Sequence, residues 1–276
     1  MAETALANVD RVDTDIEGYL AEVGRVFRAF LGHDSECISW GVEAGGRRWF
    51  VKWSGHAGGI ASLRRAAAVN AAVRHEALPR LHNAFQTPGG GLALVYDWVD
   101  GEALHCGCTY TAEQRRSDPG HPHVRFRGMP MEHVLAAIET IYDVHVLLAD
   151  LGFVAVDLYD GCFLYDFRAR RMHLCDLDEY RPGPFTLDAD RLPGSSRFMA
   201  PEEFRRGATI DQVTNVFALG RTAMVLLGDS MPTFDAWRGT DAMRRVVEQA
   251  TSPDPADRHA SVRAFVSDWK AAIDRR

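Results

Sequence analysis

The chain has 276 residues, 46% of them hydrophobic and 25% charged, an ordinary globular composition with enough apolar material for one large or two modest cores. Its net charge of −7 repels a phosphate backbone and argues against nucleic acid as a partner. Five scattered cysteines in a chain this long read as reduced thiols of a cytoplasmic protein; no basic-then-apolar leader is visible, and no apolar run is long enough to span a bilayer.

Ile16, Leu20, Val23, Val26 and Phe27 recur at helical spacing and predict a leading amphipathic helix. Cys37 to Gly41 and Arg48 to Trp53 read as strands joined at Ala44-Gly45-Gly46, where glycine accepts positive φ, and Lys52 falls near the end of the second. Alanine-rich Leu63 to Val73 predicts a helix, and Phe85 with Leu92 to Val99 a second antiparallel pair around Pro88 to Gly91. Polar His105 to Gly128 reads as a long loop. Val134, Ile138, Ile141, His145 and Leu148 mark one face of a helix. Short apolar runs follow at Phe153 to Val156, Cys162 to Tyr165 and Met172 to Cys175; Pro182 to Ser196 carries turn residues, and the chain beyond Pro201 reads helical.

Two aspartates close apolar runs: Asp157 in Ala155-Val156-Asp157-Leu158-Tyr159-Asp160-Gly161-Cys162, and Asp176 in Cys175-Asp176-Leu177-Asp178. The intervening hairpin would bring both carboxylates to one edge. Phosphoryl transfer uses such a pair, one carboxylate positioning the attacking hydroxyl and the other ligating the cation that neutralises the phosphates. Taken singly, each aspartate also fits a plain turn, and Lys52 a strand lysine with a solvated head.

In order and spacing these residues resemble the protein-kinase-like superfamily, over roughly Cys37 to Trp269. Asp157 falls where that family has its catalytic-loop aspartate and Asp176 where it has the magnesium-binding aspartate. Gly194-Ser195-Ser196-Arg197-Phe198-Met199-Ala200-Pro201-Glu202 is similar to the end of an activation segment, Asn215 to Gly220 to the start of the buried helix, and Asp254 to Arg258 to the late motif whose arginine pairs with the Ala-Pro-Glu glutamate. Lys52 resembles the strand lysine that contacts the α- and β-phosphates. Leu94 to Gly101 resembles the strand and hinge that receive adenine, with Asp97 and Val99 at the nucleotide and Tyr96 near the gatekeeper position.

The resemblance implies an α+β, two-lobed kinase-like fold: an N-terminal helical extension over 1–34, a small antiparallel-sheet lobe over 35–100 and a mainly helical lobe over 101–276. It implies ATP and Mg²⁺ as cofactors, and a hydroxyl-bearing protein or small molecule as acceptor. The Ala-Pro-Glu segment resembles serine/threonine protein kinases, whereas Tyr159-Asp160-Gly161 resembles the loop of small-molecule kinases.

The chain also departs from the pattern. No glycine-rich loop precedes Lys52, the nearest candidate being Leu31 to Ser35, and no acidic residue lies between Lys52 and Glu76, so the lysine's expected glutamate partner falls near Ala66. Cys162 stands where the metal-ligating asparagine belongs, and a thiol is a poor ligand for hard magnesium. Asp178 could restore the missing oxygen, making Asp176 and Asp178 the expected metal pair. These departures also fit a pseudokinase, a binding module with the fold but little catalysis. Separately, Cys106, Cys108, His121 and His123 offer enough donors for tetrahedral zinc, or are polar loop residues gathered without function.

Overall fold

Helix α1 (Ala2–Asn8) and helix α2 (Ile16–Val23) lead into the chain, α2 opening where the Asp15 carboxylate accepts the Gly18 N–H at 2.8 Å. The helical spacing at Ile16, Leu20 and Val23 ends there. Val26 and Phe27, expected on the same helix, instead belong to strand β1 (Arg25–Phe30). Gly24 makes the break: it is extended, and a Cβ there would lie 2.5 Å from the Glu43 carbonyl oxygen. The computed structural model describes residues 2–31, 36–105, 110–111 and 113–274.

The strands that follow are β2 (Ile38–Ala44) and β3 (Arg47–Ser54), joined as expected through Gly45 and Gly46, both at positive φ. Helix α3 (Ala57–Ala72), strand β4 (Leu81–Gln86) and strand β5 (Leu92–Asp97) complete an antiparallel five-stranded sheet in the order β1-β2-β3-β5-β4. Side chains alternate across it. Trp40, Val42, Trp49 and Val51 face Leu6, Ile16, Tyr19 and Leu20 of α1 and α2. On the opposite face Phe50, Leu94 and Tyr96 pack with Leu63 and Ala66 of α3. Lys52, two positions beyond Phe50, therefore points to the α3 face.

The chain divides into two compact units, Met1–Asp100 with Asp176–Glu179, and Gly101–Cys175 with Tyr180–Arg276. In the second, strand β6 (Glu102–Ala103) precedes helices α4 (Gln114–Ser117) and α5 (Pro122–Arg127), so the expected long loop contains helix. These helices are too short for a period to be legible. Pro122 preorganises the first position of α5 and buried Phe126 anchors it. Helix α6 (Met131–Asp150) buries the apolar face expected of it.

Strand β7 (Phe153–Val154) precedes the hairpin of β8 (Phe163–Asp166) and β9 (Arg171–Leu174), in which Phe163 faces Leu174. Strand β10 (Arg181–Pro182) pairs with β7, and β11 (Phe185–Thr186) with β12 (Thr209–Ile210), the latter interrupting a stretch expected to be wholly helical. Helix α7 (Gln212–Leu227) is buried almost all round, as a central helix must be. Helices α8 (Asp241–Ala250) and α9 (Val262–Asp274) complete the fold. Tyr142 of α6 ties this core together, its hydroxyl donating to Leu219 O at 3.0 Å and its ring meeting Phe265 and Trp269 edge-on. The architecture is α+β, and among the described residues no helix is long and apolar enough to cross a membrane.

Glu202 and Arg258 meet as their resemblance implies, through a buried fork of 2.7 and 2.9 Å. Arg258 also donates to the carbonyls of Ser252, Val213 and Pro253, so one guanidinium fastens three chain segments. Burial raises the Glu202 carboxyl, but the Arg258 guanidinium, a backbone N–H and Thr214 together hold the acid below its ordinary value. Removing one partner strands the other's charge. Glu202→Ala and Arg258→Ala should therefore each cost about 3–5 kcal/mol in urea unfolding, and the double variant less than the sum of the two.

Candidate functional site

The site residues of the second unit are organised around Asp157, which adopts a left-handed backbone (φ 61°). Aspartate tolerates this region better than most residues, and non-glycine residues held there are enriched at functional sites. Asn215, buried on the first turn of α7, takes the Ala155 N–H at 2.8 Å and gives its own N–H to Ala155 O at 2.7 Å. This two-way amide clamp fixes the backbone two residues before Asp157. On the other side the Cys162 thiol donates to Asp157 O at 3.4 Å, and Cys175 Sγ donates to Cys162 O at 3.3 Å. The thiol at position 162 is a buried, backbone-directed group rather than an oxygen ligand.

Asp160 and Arg197 form a second anchor. Asp160 is fully buried and accepts both Arg197 Nη atoms, at 3.0 and 2.5 Å, with His105 Nδ1 3.6 Å away. Burial acts to raise the acid, yet these partners hold it below its usual value. Arg197 also donates to Ser230 O at 2.8 Å. The loop carrying Asp157 is thus locked to the segment that ends in Ala200-Pro201-Glu202. Sequence reasoning missed this pair because Asp160-Gly161 looks like an ordinary turn and nothing local marks Arg197 as its partner.

A small cavity of about 10 Å³ lies beside Asp157, lined among others by Ser195, Glu203 and Asn215. Glu203 accepts the Ala200 N–H at 2.6 Å. Burial pushes its carboxyl up to about 8, with Glu202 and Asp157 adding like charge, against the pull of the Ala200 N–H and Arg258. Its role was not legible beforehand, since it is the second of two consecutive glutamates.

In the first unit Lys52 and Asp176 meet across 124 positions of sequence: Lys52 Nζ donates to Asp176 Oδ1 at 2.7 Å. The same ammonium lies 2.6 Å from Asp178 Oδ2. Burial would lower the lysine, but the two carboxylates together hold it well above its ordinary value, while burial raises Asp178. Asp176 has the same left-handed backbone as Asp157 (φ 63°). The two acids differ in exposure, Asp176 at 40% and Asp178 at 10% of the side chain. Carboxylate oxygens suit a hard divalent cation, and the half-exposed Asp176 is the better placed to meet one. Among the described residues no group of three His, Cys, Asp or Glu side chains is assembled for a metal.

Of the remaining expected residues, Tyr96 lies beside this cluster, where the charges of Asp178, Lys52 and Asp176 act on its hydroxyl, whereas Asp97 is held by other partners. Asp97 is engaged by Arg47 at 2.8 Å and His82 at 2.9 Å, and half-buried Val99 follows the end of β5. Tyr96 is buried, which raises its hydroxyl above the ordinary range. Of the zinc candidates, His121 caps α5 by accepting the His123 N–H at 3.1 Å, and His123 Nε2 meets Val225 O at 2.9 Å. Cys106 and Cys108 lie outside the described residues, as do residues 32–35 of the glycine-loop candidate. No family model matches the chain, and a search of curated proteins finds no match.

Glu203 gives a pH prediction. With a folded value near 8 and an ordinary value of 4.5, the folded chain holds a proton that the unfolded chain releases between those limits. Its contribution to stability therefore falls as pH rises through that window. Glu203→Gln, which mimics the protonated acid, should stabilise the protein at pH 8 relative to pH 5; equal shifts in melting temperature at the two pH values would contradict this.

Proposed function

We propose that the chain is an ATP-dependent phosphotransferase with a two-lobed, protein-kinase-like fold, moving the γ-phosphate of ATP to a hydroxyl group. The observation that carries this reading is the Lys52–Asp176 contact. These residues were singled out separately, one as a phosphate-binding lysine and the other as a magnesium-binding aspartate, and no local feature of sequence requires them to meet. The left-handed backbone shared by Asp176 and Asp157 supports it.

In this reading Lys52 steadies the α- and β-phosphates, and the segment from Asp97 to Val99 receives the adenine end. Asp176 holds the magnesium ion, whose chemistry is to neutralise the charge of the phosphates. Asp157 orients the acceptor hydroxyl; as its oxygen bonds to the γ-phosphorus and the bond to the β-phosphate oxygen breaks, ADP departs and Asp157 takes the hydroxyl proton. The acceptor we favour is a protein serine or threonine, because Arg197 and Asp160 tie the segment before Ala200 to the Asp157 loop, giving a peptide a fixed shelf.

A second reading is a nucleotide-binding module without transfer, favoured by the buried Cys162 thiol in place of an oxygen ligand. One experiment separates the two. Wild-type protein with MgATP should melt at a higher temperature and transfer γ-phosphate to a serine/threonine substrate mixture. Asp157→Asn should keep the thermal shift and lose transfer by a factor of about 10² or more. A shift without transfer in the wild type supports the binding module, and undiminished turnover in Asp157→Asn removes the proposed role of that residue.

A further inference from the structure

An ammonium as enclosed as that of Lys52, 13% exposed, needs a standing counter-charge. Helix α3, which packs on its face of the sheet, cannot supply one: Ala57–Ala72 contains no carboxylate, and the position expected for it is occupied by Ala66, 1% exposed. What the helix offers is the opposite charge. Arg65 Nε donates to the backbone oxygen of Asp178 at 2.8 Å, and its Nη2 bonds Ser62 Oγ at 2.8 Å and pairs with the Glu179 carboxylate. Ser62 Oγ donates to the same Glu179 oxygen at 2.8 Å.

Residues 178 and 179 are therefore held to α3 by three polar contacts, none of which uses the Asp178 side chain, and the Arg65–Ser62 bond braces the donors within the helix. That side chain is left to meet Lys52, and it is at least as enclosed as the lysine. Asp176, by contrast, reaches Lys52 from a half-exposed position. A divalent cation arriving at Asp176 would compete with the ammonium there, whereas Asp178 is shielded from solvent.

We infer that Asp178 is the resident counter-ion of Lys52, taking the place of the absent helix glutamate rather than serving as a second metal ligand, and that Arg65, Ser62 and Glu179 form the clamp that positions it. Helix α3 thus acts on Lys52 through a cation, Arg65, which fixes the 178–179 segment from which the Asp178 carboxylate reaches the ammonium. The role of Lys52 toward ATP in this inference rests on the phosphotransferase reading; the pairing does not.

The test joins a stability cycle to a metal titration. In ligand-free protein, Lys52→Met and Asp178→Asn should each lower the melting temperature, and the double variant should melt no lower than the worse single, because removing both partners leaves no stranded charge. In a calorimetric titration, Asp178→Asn should weaken ATP binding about tenfold while the magnesium concentration for half-effect moves less than about twofold. Asp176→Asn should do the reverse. Asp178→Glu should restore part of the ATP affinity, which a merely structural role would not predict. Should Asp178→Asn fail to fold, Arg65→Gln should give the same order of effects by loosening the clamp.

Additive melting shifts in the cycle would overturn the pairing. A magnesium requirement that rises in Asp178→Asn as much as in Asp176→Asn would overturn the division of roles. Wild-type protein that binds no ATP would remove the phosphotransferase reading alone, and the stability cycle would still decide whether Asp178 balances Lys52.

Discussion

The enclosed ammonium of Lys52 is the constraint to which its surroundings answer. A buried charge is tolerated only when paired and hydrogen-bonded, and here the partners come from a segment more than a hundred residues away, Asp176 to Asp178. That segment must in turn be fixed, which explains an otherwise odd feature of α3. The helix that packs on the lysine's face of the sheet carries Arg65 toward Glu179 and the Asp178 carbonyl, and no acid toward the lysine. Asp176, at positive φ, lies in the same segment. Local strain of this kind persists where the surroundings over-determine it.

The second unit solves a parallel problem around Asp157 with different chemistry. Its backbone is clamped by the Asn215 amide, its loop by the Asp160–Arg197 ion pair, and the segment beyond by Glu202 and Arg258. Each device pairs buried polar groups with partners on another segment, so the loop has few alternative conformations of similar energy. A loop fixed in this way suits the positioning role proposed for Asp157, because preorganised groups need no rearrangement as the reaction proceeds. Glu203, kept largely protonated by burial, adds a neutral acid rather than a second charge beside Asp157.

Much of the fold was legible wherever a period or a turn residue recorded it. The β2–β3 hairpin followed from Gly45 and Gly46, helix α6 from the spacing of its apolar face, and the β8–β9 hairpin from two short apolar runs. The expected helix through Phe27 failed because Val26 and Phe27 continue the helical period without belonging to it, and the break is made by the close approach of Gly24 to β2. Within the candidate site, Glu202 with Arg258 could be anticipated from motif order. The Lys52–Asp178 and Asp160–Arg197 pairs could not, because long-range pairing leaves no local trace. The nearest signal was negative: a lysine strand followed by a helix without acids has to find its counter-charge elsewhere.

The most direct test of this account is a calorimetric titration of a non-hydrolysable ATP analogue, with and without magnesium, into wild-type protein and Lys52→Met. The account predicts binding to the wild type that is strengthened by magnesium and weakened at least about tenfold by the substitution. Absence of binding to the wild type, or an affinity that neither magnesium nor Lys52→Met alters, would contradict it.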